Sequence, residues 1–263
     1  MSLSPRIGSV PYLNAKPLIY GLENEVMMDH PARLAARLAA RELDAALVPV
    51  VECFRSPGYV IADGIAIACE GAVKSVFLAH RHPLEQVRQV VVDASSGTSA
   101  LLLKVLMEQR FGLKPAYITQ ALATQHTRAT AQMLIGDQAL RFLGHTEELH
   151  LHQRGYWKLL DLGQAWFDWT RLPFVFAVWA IHADYPDRQS LVAKLTGAYN
   201  AGLANIETIV AREQVMNEEG RRRYFAENVR FTLGPREKEG MRLFQQRLVD
   251  LGELKERLEL RLT

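Results

Sequence analysis

The sequence predicts an α/β protein of two lobes with a ligand cleft between them. Three observations carry this expectation. The first fifty residues alternate short apolar runs with helical patterns in the order β-α-β-α-β, the rhythm of a mostly parallel sheet with helices on its faces. The same rhythm restarts near residue 88, which marks a second lobe. From about residue 186 the pattern is helical throughout, a tail that returns to the first lobe. The expected lobes are 1–87 with 183–263, and 88–182. Ligands of such architectures bind near the carboxyl ends of the strands.

Each element has a local reason. RIGSV at 6–10 is a short apolar run that ends at Pro11, a strand followed by a turn. PYLNAKP then forms a strand-to-helix junction, with helical spacing from Ala15 to Leu22. VMMD at 26–29 reads as the second strand. Pro31 opens the next helix, where its missing N–H costs nothing, and AALVPV at 45–50 follows as a strand. Strand-like runs occupy 59–68 and 73–79, with Gly71 between them. Over 87–112 an apolar strand ends at Asp93, a small-polar turn SSGTS follows, and a long amphipathic helix closes on Gly112. Strands are expected at 116–119 and 131–137, the latter running into the helical QALRFL. LPFVFAVWAIH at 172–182 reads as a strand long enough to cross back to the first lobe. Helices are expected over 187–212, 217–227 and 235–260.

Composition excludes several function classes. The chain has 263 residues, 49% hydrophobic and 23% charged, well outside disordered, collagen-like and coiled-coil compositions. A formal charge of +2 is too near neutral for a dedicated nucleic-acid binder. The two cysteines, Cys53 and Cys69, form no CxxC and have no histidine at metal-ligand spacing. Zinc fingers, thioredoxin-like redox chemistry and a disulfide framework are therefore not expected. MSLSPRIGSVPYLN lacks a secretory signal pattern, and the apolar run at 172–181 is about half the ~20 residues of a membrane helix. The expectation is a cytoplasmic protein, monomer or homodimer, with no membrane partner and no nucleic acid.

The candidate site residues lie at strand-to-helix junctions. SSGTS places Ser96, Thr98 and Ser99 at a helix N-terminus. Backbone N–H groups and hydroxyls there suit a carboxylate or phosphate, and plain capping is the alternative. Asn14, just after a strand, is placed to donate to a ligand or to cap the next helix. Tyr12 is placed to wall an organic ligand or to pack in the core. Asp137 ends a strand in IGD, at a position for a polar site group or for a helix cap. Ser75 alternates with apolar neighbours in GAVKSVFL, and a lone strand serine is ordinarily structural. His80 with His82, and His150 with His152, lack both i, i+4 spacing and a third ligand, so no metal is expected. No GxSxG, HExxH, GxGxxG or GK[ST] occurs. Arg221 to Arg223, interleaved with acidic neighbours, read as a solvated helix face.

Six segments carry a further signal by recurring together and in order: VPYLNAKPL, LDAALVPVVE, GAVKSV, DASSGTSALLL, LIGDQAL and DLGQAWFDWTRLPFVFAVWA. In these the chain resembles the menaquinone-biosynthesis family of the futalosine pathway, over residues 6 to about 182, and most of all its chorismate-dehydrating members. The resemblance implies a type II periplasmic-binding-protein-like fold used as an enzyme, a lyase that converts chorismate to 3-[(1-carboxyvinyl)oxy]benzoate with no cofactor. It implies site roles for Asn14 and Ser75. The family's S-R-T-S turn corresponds to Ser96, Gly97, Thr98 and Ser99, so the arginine side chain is absent here. Arg171 stands where the family has glycine, and Ala72 where it commonly has proline. PYLNAKP in place of a PNDT-like loop separates the chain from the pathway's naphthoate synthase, whose reaction is an alternative. A cytoplasmic binding module for a small aromatic or carboxylate ligand is the other.

Overall fold

The computed structural model describes residues 4–93, 97–119, 130–148 and 157–263. These residues divide into two compact units, one of residues 1–68, 175–213 and 230–263, the other of 69–174 and 214–229. The chain therefore passes between units four times, where the sequence reading has two passages at other points.

The first unit is built on a six-stranded sheet of order β11-β4-β10-β3-β1-β2. Its strands are β1 (Ile7–Ser9), β2 (Val26–Met28), β3 (Ala45–Pro49), β4 (Tyr59–Cys69), β10 (Phe174–His182) and β11 (Arg230–Leu233). β1 pairs in parallel with β2 and β3, while β10 and β11 pair antiparallel with β3 and β4. The sheet is mixed rather than mostly parallel, because strand direction is set by distant partners that a local pattern does not name. β3 and β10 are almost entirely buried, the unbroken apolar reading of strands covered on both faces. Helix Pro31–Ala39 begins with its proline at the first turn and buries Leu34 and Leu38.

Two stretches of the tail differ from the expected helices. β11 alternates exposed and buried residues along four positions, an edge strand too short to register against its helical flanks. Helix Pro235–Asp250 stops ten residues early, because Gly252 takes φ +74° just past its end. Gly252 N–H donates to Val249 O and Leu254 N–H to Leu248 O, which satisfies carbonyls the helix leaves open.

The second unit carries a five-stranded sheet of order β7-β6-β8-β5-β9. Its strands are β5 (Val76–His80), β6 (Gln89–Val92), β7 (Ala116–Thr119), β8 (Ala131–Ile135) and β9 (Lys158–Asp161). β5 runs antiparallel to β8 and β9, and β6 parallel to β7 and β8. Helix Gly97–Val105 continues as a π-helical turn over Leu106–Arg110. Helix Leu162–Thr170 is capped by Asp161 at its start and closed by Arg171 in the left-handed conformation, φ +61°. A glycine would adopt that conformation without steric cost. The position therefore favours the residue the resemblance leads one to expect there.

Among the described residues no helix is long and apolar enough to cross a membrane. Cys53 and Cys69 are both buried thiols outside any disulfide, and burial pushes the Cys53 thiol up to about 12. Native protein is expected to react with a thiol-specific dye only as fast as it unfolds, with two thiols titrating in denaturant. Fast native labelling would contradict this burial.

Candidate functional site

In the first unit the candidate residues follow β1. Ser9 ends the strand, and Tyr12, half-buried with extended backbone, opens a 3-10 helix over Leu13–Ile19. The helix has no side-chain cap, so Asn14 inside its first turn does not serve as one. Asn14 Oδ1 is buried and has no hydrogen-bond partner among the described residues. Ser9 Oγ, at the end of β1, is likewise buried and without a partner among the described residues. An orphaned buried acceptor costs about 1–3 kcal/mol and calls for an explanation, such as a water or ligand partner. Lys16 is engaged locally, with its ammonium 3.1 Å from Glu213.

Helix Arg188–Ala204 packs on this 3-10 helix through a close approach of backbones. A Cβ at Gly202 would lie 1.9 Å from Pro17 O. Glycine at that position is therefore what lets the Asn14 helix sit where it does.

In the second unit the strand registers gather several candidates at one end of the sheet. β6 is parallel to β8, so the segment after β6 and the segment after β8 leave by the same end. β5 is antiparallel to both β8 and β9, so its start lies at that end with their finish. Ser75, Thr98, Ser99 and Asp137 thus share one sheet end. Thr98 and Ser99 are buried in the first turn of helix Gly97–Val105. β8 ends at Ile135 rather than at Asp137, which lies in the first turn of helix Gly136–Glu148, where a carboxylate favours the helix dipole. Ser96 lies outside the described residues, as do His150 and His152.

Ser75 sits on a tightly held turn. Lys74 has φ +57°, and Ser75 N–H donates back to Val73 O at 2.7 Å. A non-glycine residue in this region stores of order 1–3 kcal/mol of strain, which persists only where surrounding contacts impose it. Those contacts are present. Asp161 accepts from Val73 N–H at 3.1 Å and from Lys74 N–H at 2.7 Å, while also capping its own helix through Gln164 N–H at 3.0 Å. Asn228 Nδ2 donates to Ala72 O at 2.9 Å, and Gly136 N–H donates to Ser75 O at 2.7 Å. The Tyr224 hydroxyl lies 3.0 Å from Ser75 Oγ, with both residues 1% exposed.

Asp161, Tyr224 and Asn228 have no place in the sequence reading. DLGQ at 161–164 carries the pattern of a helix cap, which could have marked Asp161 as structural. Nothing local marks Tyr224, 149 positions from its partner. Of the arginine run, Arg222 and Arg223 pair with Glu218 and Glu219 at the surface, but Arg221 is buried, against the expected solvated face. His80 Nδ1 lies 2.7 Å from His82 O, and among the described residues no group of three His, Cys, Asp or Glu is arranged to hold a metal.

Burial raises the Asp161 carboxyl above its ordinary range, against the opposing pull of the backbone N–H groups it accepts from. A raised folded-state value means this group favours folding fully below ~4, and loses that contribution as pH rises through the folded value. Asp161→Asn replaces one acceptor oxygen by an N–H donor, so one of the turn's amides faces a like group. The variant is expected to lose about 1–3 kcal/mol in urea unfolding, to lose that pH slope, and to turn over more slowly because Ser75 shifts. Unchanged stability and activity would mean that Asp161 does not hold the turn.

Comparison with known proteins finds relatives of the chain and of its fold. A family model described as menaquinone biosynthesis matches residues 5–250. A curated protein of Thermus thermophilus, named chorismate dehydratase, is 29% identical over 219 residues, covering 79% of this chain and 80% of that protein. Among solved structures, a protein of Archaeoglobus fulgidus superposes with a TM-score of 0.73 at 14% identity, covering 95% of this chain and 98% of that one. The periplasmic aliphatic sulphonate-binding protein of Escherichia coli gives 0.62 at 13% identity, covering 98% and 90%. A Candida albicans protein described as having the generic periplasmic-binding-protein fold also gives 0.62 at 13%, covering 98% and 92%. The two α/β units are therefore a periplasmic-binding-protein fold.

Proposed function

The chain belongs to the menaquinone-biosynthesis family, and from that premise we propose that it is a cytoplasmic lyase dehydrating chorismate to 3-[(1-carboxyvinyl)oxy]benzoate. The observation that carries the reading is the family match over residues 5–250, joined by a relative named for that activity. The chemistry asks little of the protein in reactive groups. Chorismate loses one ring proton and one hydroxide, which leave together as water, and the ring becomes aromatic. Aromatisation supplies the driving force, so the protein's part is to hold a dianion and stabilise the charge that develops.

The residues support that division of labour. Asn14 offers the N–H donors of its side-chain amide, and Ser75 a hydroxyl on an imposed turn. Neither is a strong base, and the substrate's own enolpyruvyl carboxylate is the proton acceptor in this reading. Ser96, Thr98 and Ser99 are assigned to a substrate carboxylate at the helix N-terminus, with Tyr12 and Asp137 as further contacts.

The test is incubation of purified protein with chorismate, followed by chromatography and mass detection. A product lighter by one water, with the ultraviolet spectrum of a substituted benzoate, is expected. Chorismate returned unchanged while still raising the Tm would replace the enzyme by a binding module. Neither turnover nor stabilisation would remove chorismate as the ligand, and the related naphthoate synthase substrate would be assayed next.

A further inference from the structure

We infer that Tyr224 is a positioning residue for Ser75, donating its phenolic proton to Ser75 Oγ so that the serine's own proton is left for the substrate. The inference deepens the dehydratase reading and rests on it. The two hydroxyl oxygens are 3.0 Å apart and both residues are buried. Of two hydroxyls sharing one hydrogen bond, the phenol is the more acidic, with a pKa near 10, and is the better donor. Ser75 Oγ is then the acceptor, and its single proton is free to point elsewhere. Among the described residues no atom accepts it. The serine backbone is committed on both sides, its N–H to Val73 O and its C=O to Gly136 N–H, so the hydroxyl cannot turn away by a backbone rotation.

The element that carries Tyr224 has a second hold on the same turn. Tyr224 and Asn228 occupy one π-helical turn, Tyr224–Asn228, and Asn228 Nδ2 grips Ala72 O at 2.9 Å. One short turn thus fixes both the entry to the serine segment and the serine's hydroxyl. The chain leaves the first unit at Glu213 and re-enters it at Arg230, and residues 214–229 between belong to the second unit. A hydroxyl that accepts from a phenol is polarised towards donating, since hydrogen bonds in a chain strengthen one another at low local dielectric. Ser75 then acts as a hydrogen-bond donor to a substrate oxygen that gains negative charge. No proton is transferred from it, and no covalent bond to it forms.

A double-mutant cycle on chorismate turnover tests this, using wild type, Tyr224→Phe, Ser75→Ala and the double variant. Tyr224→Phe is expected to lower kcat about 10-fold with KM unchanged, the size of one neutral hydrogen bond. In the Ser75→Ala background the same change is expected to have no further effect on kcat. Should Ser75→Ala fail to fold, Ser75→Cys takes its place, because a thiol is a weak acceptor. A packing role alone would lower the Tm and give the same fold-loss of kcat in both backgrounds. Tyr224→Phe at wild-type kcat, or an additive cycle in an active wild type, overturns the inference and leaves the dehydratase reading standing. A wild-type protein that does not convert chorismate overturns the dehydratase reading and this inference with it.

Discussion

Asn14→Ala and Ser75→Ala are each expected to lower kcat on chorismate by ~10²–10³, the usual effect of removing one donor that stabilises a developing anion. Their effects on stability are expected to part company. Asn14 Oδ1 has no partner among the described residues, so its removal relieves an unsatisfied buried acceptor. The Tm of Asn14→Ala should equal or exceed that of wild type. Ser75 Oγ accepts from the buried Tyr224 hydroxyl, so Ser75→Ala removes that hydrogen bond at a cost of about 0.5–1.5 kcal/mol. At roughly 2–4 °C per kcal/mol for a chain of this size, its Tm should fall measurably. Activity and stability measured on the same preparations separate the two cases. Wild-type kcat in either variant would remove that residue from the reaction, and a lowered Tm for Asn14→Ala would mean that Asn14 is a structural residue.

Where a structural cause is local, the sequence shows it. Pro31 marks its helix start, and the AYIT strand falls where its apolar run places it. β3 and β10 fall within the continuous apolar runs that read as strands, and both are almost entirely buried. Pairing direction is a property of two distant segments, so the antiparallel partners of β5 and β10 were not visible in either segment alone. The same division applies to the candidate residues. Asn14 and Ser75 stand in distinctive local motifs. Tyr224 sits in a helical tail without a motif, and it meets Ser75 only because the fold carries it back to a turn 149 residues earlier. Arg171 lies between these cases. The departure from glycine is visible in the sequence, but its left-handed backbone, φ +61°, is what gives the departure a cost.

Gly202→Ala is expected to be the most damaging single methyl in the first unit. Its Cβ would lie 1.9 Å from Pro17 O, 2.6 Å from Pro17 C and 2.7 Å from Pro17 Cα. All three are backbone atoms, so no side-chain rotation makes room, and helix Arg188–Ala204 must move off the 3-10 helix Leu13–Ile19. Overpacking of this kind ordinarily costs about 1–3 kcal/mol and more where backbone must shift, which places this site at or above the upper end. Pro17 and Asn14 lie on the same 3-10 helix, so the displacement reaches Asn14 and turnover should fall together with the Tm. Gly197→Ala on the same helix is the control. A Cβ there meets nothing within 4 Å, and alanine is favoured over glycine in a helix interior by about 1 kcal/mol. That variant should be as stable as wild type or more so, at full activity. Opposite signs at two glycines of one helix would tie the loss to the contact with Pro17 rather than to helix propensity, whereas a Gly202→Ala protein as stable and active as wild type would mean that the helix does not approach the Asn14 segment so closely.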